Sequence, residues 1–229
     1  MKVLEIIKIG SNILKSKKIP SHILDSEILL SKVLKKSREK MLINLDQIIN
    51  TRDILLFKDY LERRSKNEPI AYILEEKEFW SKKFIVNRNT LIPRPETELL
   101  VDKLLKIYKD KRISILDIGT GSGCIIISLL CNLKESIGIG IDKSKNAVLM
   151  AKRNALKNRL FNRIKILNQS FENLFDKKFD LIVSNPPYIE RKDLKNLSDD
   201  IKRYEPIMAL DGGNDGLDLI KKVIYKSKD

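Results

Sequence analysis

The chain has one histidine, two cysteines and no strongly apolar run longer than the 11 residues from Gly123 to Leu133. Each shortage removes a class of function. With His22 alone there is no ordinary zinc ligand set and no serine–histidine–aspartate triad. His22 follows Pro20-Ser21 and reads as a first-turn helix residue. Cys124 and Cys131 sit seven residues apart. On one helix that is about 10.5 Å along the axis, beyond the roughly 7 Å Cα separation a disulfide tolerates. Both cysteines read as small packing residues. A bilayer span needs ~20 apolar residues, so no membrane role is expected. The N-terminal stretch carries Glu5, lacks a small-residue cleavage site and reads as an amphipathic helix, so the chain is expected in the cytoplasm.

Negative charge is the minority sign. Against 31 Asp and Glu stand 45 Lys and Arg, a formal net charge of +14. Such an excess points to nucleic acid, but only 12 of the basic residues are Arg, the side chain suited to bidentate phosphate or guanine recognition. The excess is also spread, +4 over residues 1–80 and +10 over 81–229. Plain surface solvation and compositional drift therefore stand beside a nucleic-acid role.

No glycine occurs between Gly10 and Gly119, which suits helices joined by short loops. Apolar residues recur at helical spacing after Ser21 and again over Thr51–Arg64, so residues 1–80 read as a helical bundle. Phe84-Ile85-Val86 and Thr90-Leu91-Ile92, separated by Asn87-Arg88-Asn89, read as a β-hairpin ended by Pro93 and Pro95. Helix returns over Glu96–Tyr108. From Arg112 onward strands Ile113–Ile118, Ile137–Ile141, Ile164–Leu167 and Phe179–Ser184 alternate with helices. That alternation predicts an α/β fold with a parallel sheet and right-handed crossovers.

Two segments carry chemistry. Gly119-Thr120-Gly121-Ser122-Gly123 is a glycine turn between a strand and a helix, where backbone can approach a ligand closely beside helix N–H groups. Asp142 ends the next strand about 20 residues on, where a carboxylate accepts ribose hydroxyls or caps the following helix. Asn185-Pro186-Pro187-Tyr188 closes the fourth strand, on the edge where open α/β sheets bind ligands. Its prolines fix φ and remove two N–H donors, leaving carbonyls free to accept. The Asn185 oxygen adds an acceptor, so a planar –NH₂ group could be held there, with Tyr188 as a flat wall.

The glycine turn, Asp142 and Asn-Pro-Pro-Tyr together resemble class I S-adenosylmethionine-dependent methyltransferases that act on planar amino nitrogens. Glu68-Pro69-Ile70-Ala71-Tyr72-Ile73, Glu78-Phe79, Leu91-Ile92-Pro93-Arg94-Pro95-Glu96-Thr97-Glu98 and Tyr204-Glu205-Pro206 narrow the resemblance to the HemK type, the glutamine methyltransferases of peptide-chain release factors. The resemblance implies a Rossmann-like methyltransferase sheet with an N-terminal helical substrate-recognition domain (1–80), then the β-hairpin and S-adenosylmethionine-binding domain (81–229). It implies a monomer that methylates the glutamine amide nitrogen of the release factors' GGQ motif, with no specific nucleic acid and no membrane partner. Residues 119–123 would line the methionine part of the cofactor, Asp142 would hold its ribose, and Phe171 would lie by its adenine. Asn185 would also touch the cofactor, and it and Pro186 would hold the target carboxamide, with Pro187 and Tyr188 beside it. Two positions depart from the family's pattern: Ser170 where an acid is usual, and Glu75 where a glycine is usual. Competing readings are an amino-group methyltransferase of nucleic-acid bases and a non-catalytic module that kept the fold.

The family continues after the Asn185 turn through further strands, whereas this sequence ends at Asp229 after one helix, Gly216–Lys226. The expected sheet order, numbering the four strands above in turn, is 3-2-1-4. This leaves Phe179–Ser184 at an open edge with its turn poorly braced, in a shortened chain of reduced or dependent activity.

Overall fold

The computed structural model describes residues 1–173 and 177–227. The chain divides into two compact units, residues 1–74 and 75–229.

The first unit holds helices α1 (Val3–Ser16), α2 (His22–Val33), α3 (Arg38–Leu42), α4 (Thr51–Ser65) and the single turn α5 (Ile70–Ile73). Asn50 begins α4 by accepting the Asp53 N–H at 2.8 Å, one of the donors a helix start leaves unpaired. Val3, Leu14, Leu29, Leu30 and Phe57 form the core of this bundle. Buried ionic groups here are paired: Arg64 Nε reaches Asp25 at 2.7 Å, and Arg63 grips Glu68 through Nε and Nη2. His22 hydrogen-bonds Ser11 through Nδ1 at 2.8 Å, a packing role in accord with its expected place on α2.

The second unit opens with strands β1 (Glu76–Phe79) and β2 (Lys82–Ile85), an antiparallel hairpin. The expected hairpin over 84–92 is therefore corrected: its first strand is the second strand of the real one. Trp80 and Ser81, with φ of 50° and 54°, make the tight two-residue turn, a geometry that matches strand twist. Thr90–Ile92 forms no strand. The Ile92 N–H is taken by Glu205 at 3.1 Å, and Pro93 and Pro95 have no N–H to give. Because β1 pairs with β2, the unit boundary falls at 74/75 and not near 80. Glu75 stands there with φ of 55°, a left-handed conformation that glycine adopts without strain.

After α6 (Glu96–Ile107) come β3 (Ser114–Ile118), α7 (Cys124–Asn132), β4 (Ile137–Asp142), α8 (Lys145–Lys157), β5 (Ile164–Asn168) and β6 (Leu181–Ser184). The short α9 (Asp199–Tyr204) and α10 (Asp218–Lys226) follow. The sheet is parallel with order β5-β4-β3-β6, the order expected from the sequence. Its strands alternate faces. Leu116 and Ile118 of β3 join Ile141, Phe171 and the α10 residue Val223 in one apolar cluster. On the helix side, α7 packs against β3 and β4, and α8 against β4 and β5. Among the described residues no helix is long and apolar enough to cross a membrane.

Candidate active site

At the carboxyl edge of β3, β4 and β6 lies a cavity of about 370 Å³, within the range of ligand sites. Its floor is the turn from β3 into α7. Gly119, Gly121 and Gly123 all have positive φ, which side chains bearing a Cβ resist. The N–H groups of Gly119 and Thr120 both reach the Ile141 carbonyl at 2.9 Å. Asp142 completes the arrangement: one carboxylate oxygen accepts the Gly121 N–H at 2.9 Å, the other the Ser144 N–H at 2.8 Å. It thus caps the approach to α8 and holds the turn. Each carboxylate oxygen has a second lone pair, so a ligand hydroxyl can still be accepted.

Gly119, Thr120, Gly121, Ser122, Asp142, Phe171, Asn185, Pro186 and Pro187 all line this cavity. Two residues singled out in the sequence do not. Gly123 lies beneath the turn, where a Cβ would come within 2.8 Å of Ile127 Cδ1 and 3.4 Å of Ala151 Cβ, so its place is packing of α7 on α8. Tyr188 is 61% exposed. Its main chain is pressed against the 212–216 segment, since a Cβ on Gly212 would lie 2.7 Å from Tyr188 Cα and one on Gly216 2.5 Å from its carbonyl oxygen.

That contact corrects the expectation of a poorly braced Asn-Pro-Pro-Tyr turn. The Ile189 N–H donates to Leu210 O, Gly212 N–H to Ile189 O and Arg191 N–H to Gly213 O, while Arg191 Nε reaches Asp211 at 3.0 Å. At the base of β6, Ser114 N–H and Oγ both donate to Asp180 at 2.7 Å, holding that carboxyl below its usual range. The return segment after α9 braces the chain beyond the turn through the single parallel bridge Ile189–Asp211, while β6 is the last strand of the sheet among the described residues, as expected.

The walls are completed by the Leu91–Glu98 segment, which the resemblance implies as a wall of the substrate pocket, by the Tyr204–Pro206 segment, and by neighbours of both that no motif includes. Arg88, Asn89, Thr90, Leu91, Pro93, Arg94 and Thr97 form one side, and Pro206, Met208 and Ala209 another. Glu205, buried, latches these two sides by accepting from Ile92 N–H and from Arg94 Nη2. The Arg88 guanidinium lies 4.6 Å from the Tyr204 ring centre, an attractive cation–π distance. Asn185 Nδ2 faces Thr97 Oγ1 at 3.5 Å, so its oxygen is the end left for a ligand. Phe171 is buried, with Lys143 Nζ 6.0 Å from its ring centre. Ser170 bonds Glu172 and is absent from the lining.

Two titratable groups near the turn are strongly shifted. Asp117 is buried and accepts from Thr120 Oγ1 at 2.7 Å through one oxygen, and its other oxygen has no partner. Desolvation pushes its pKa from 3.8 up to about 7. Cys124 lines the cavity as a partly exposed residue, yet desolvation of its thiol pushes that pKa up to about 12. Among the described residues no group of acidic, cysteine or histidine side chains could hold a metal.

A PrmC N-terminal domain model matches residues 5–74, and a methyltransferase small domain model residues 95–202. The solved hMettl16 catalytic domain in complex with the MAT2A 3'UTR hairpin 6 superposes with a TM-score of 0.54. It is 19% identical, with 74% of this chain and 63% of that chain covered, a likeness of fold alone. Fold and matched domain define the class: a methyltransferase. The release factor glutamine methyltransferase of Buchnera aphidicola subsp. Acyrthosiphon pisum is 44% identical over 89% of this chain and 73% of its own length. That of Geobacter sulfurreducens is 40% identical over 88% and 70%. The chain belongs to the release factor glutamine methyltransferase family. It is also 41% identical to a bifunctional methyltransferase of Rickettsia felis, 92% of this chain matching 45% of that protein. The chain thus spans under half the length of that relative.

Proposed function

We propose that this protein transfers a methyl group from S-adenosylmethionine to the side-chain amide nitrogen of the glutamine in the GGQ motif of class I release factors, in the cytoplasm. The observation carrying this reading is that Asn185 and Pro186 open into the same cavity as the glycine turn and Asp142. The names of two relatives support it, both being release factor glutamine methyltransferases.

The cavity's donor set suits that cofactor. Asp142 offers a carboxylate to ribose hydroxyls, Phe171 an apolar surface to adenine, and residues 119–122 a polar floor to the methionine part. When bound, S-adenosylmethionine supplies an electrophilic methyl group on a sulfonium. The chain's own task is to present the nucleophile. An amide nitrogen is weak because its lone pair is shared with its carbonyl. Asn185 Oδ1 and the Pro186 carbonyl would accept its two N–H groups, raising electron density on nitrogen and fixing its direction. Positioning of this kind is worth up to ~7–11 kcal/mol, so no histidine base is needed. The exposed Tyr188 ring would meet the incoming loop, and residues 1–74 would contribute recognition of the larger substrate.

Purified protein incubated with labelled methyl donor should label a class I release factor and leave a GGQ-to-GGA variant unlabelled. Labelling of duplex DNA or RNA instead would move the protein to the base-modifying class, in line with its +14 charge.

A further inference from the structure

Asn154 lies on the buried face of α8, fully enclosed. Both amide hydrogens and the amide oxygen are engaged. Oδ1 accepts the Ile85 N–H at 2.7 Å, and Nδ2 donates to the Ile85 carbonyl and the Ser122 carbonyl, both at 2.9 Å. One planar group therefore grips both main-chain polar atoms at the end of β2 and one carbonyl of the cofactor turn. A second link runs from the same helix, Asn146 Nδ2 to Asn89 Oδ1 at 3.2 Å. At its start α8 is capped by Ser144, whose N–H is held by Asp142.

We propose that Asn154 is a positioning residue that couples the two ends of the cavity, so that filling the cofactor end orders the substrate-side wall. The path is continuous. Asp142 and the turn hold the start of α8. Asn154 passes any displacement of Ser122 to Ile85, and residues 88–97 continue from there as the wall. The turn is close-set on its own helix, since a Cβ at Gly123 would lie 2.8 Å from Ile127 Cδ1, and the Asn154–Ser122 hydrogen bond ties it to α8. A buried polar group whose bonds are all made resists partial loosening, so its two ends move together.

The inference rests on the reading of the floor as an S-adenosylmethionine site, and the test separates the two. Hydrogen exchange on the whole chain, with and without S-adenosylhomocysteine, is followed at β2, whose residues do not line the cavity. In the wild type the analogue should slow exchange at Phe84–Val86 about fivefold or more, the lower range of measured couplings. In Asn154→Asp, which keeps one acceptor and loses both donations, calorimetry should still detect binding while the slowing falls below about twofold. A purely structural role would speed exchange equally with and without analogue. The proposal is overturned by wild-type β2 exchange that ignores bound analogue, an arm that needs no variant to fold. Equal slowing in the variant also overturns it. Absence of analogue binding to the wild type overturns the cofactor reading as well, and the proposal with it.

Discussion

At the glycine-turn end of the cavity, the holding contacts join near neighbours in sequence: Gly121 and Asp142 are 21 residues apart, Asp117 and Thr120 three. At the Asn185 end they join distant ones: Ile92 and Glu205 are 113 apart, Thr97 and Asn185 88. The first end is a strand–turn–helix whose geometry glycines encode locally. The second is assembled from three loops whose ends meet only after the sheet has formed. A local turn can evolve as a unit, whereas the latched end depends on each partner separately. This makes the second end the place where one substitution unmakes geometry without touching the ligand.

The largest effect should separate chemistry from binding. Asn185→Ala removes an acceptor used during reaction and should cost ~10²–10³ in methyl-transfer rate, with cofactor affinity little changed by calorimetry. Near-normal turnover would end the assigned role. Next comes the local end. Asp142→Ala deprives the Gly121 and Ser144 N–H groups of their acceptor as well as the ribose hydroxyls, and should weaken S-adenosylmethionine binding by ~2–3 kcal/mol. Unchanged affinity would reduce Asp142 to a helix cap.

Glu205→Ala tests the latched end. It leaves the buried Ile92 N–H unpaired, which costs ~1–3 kcal/mol of stability, and frees Arg94. Substrate KM should rise, with a smaller loss of cofactor affinity carried through the Asn154 coupling. Equal losses at both ends would mean that the latch also holds the glycine turn. The smallest effect is a slope. Asp117 holds its proton to about pH 7 in the folded protein, whereas the unfolded carboxyl loses it near 3.8. Between those values the folded state carries more protons, so this group's contribution to stability is complete at low pH and is lost as pH rises from about 4 to 7, at most ~1.4 kcal/mol per unit. Asp117→Asn should flatten that fall in a pH series of melting temperatures.

Sheet order, glycine turn and the Asn185 turn were legible because strand periodicity and glycine placement are local signals. The hairpin was misplaced because Trp80 and Ser81 carry no glycine or asparagine to announce a left-handed turn. Tyr204-Glu205-Pro206 stood out as a motif, but its latch on Ile92 could not be read at a separation of 113 residues. Asn154 carries a readable signal: it is a polar residue on the buried stripe of Ala147, Val148, Ala151 and Ala155. Gly123 and Tyr188 belonged to the right motifs but to other surfaces, since motif membership does not say which side of a turn a residue faces.

Cys124 has a consequence for the protein's own safety. It lines the cavity proposed to hold the methyl donor, and a thiolate attacks a sulfonium far faster than an amide does. Desolvation pushes its pKa up to about 12, so the neutral thiol dominates at neutral pH. A neutral thiol competes poorly for a bound methyl donor, and thiol reagents should modify Cys124 more slowly in the folded chain than in the unfolded one.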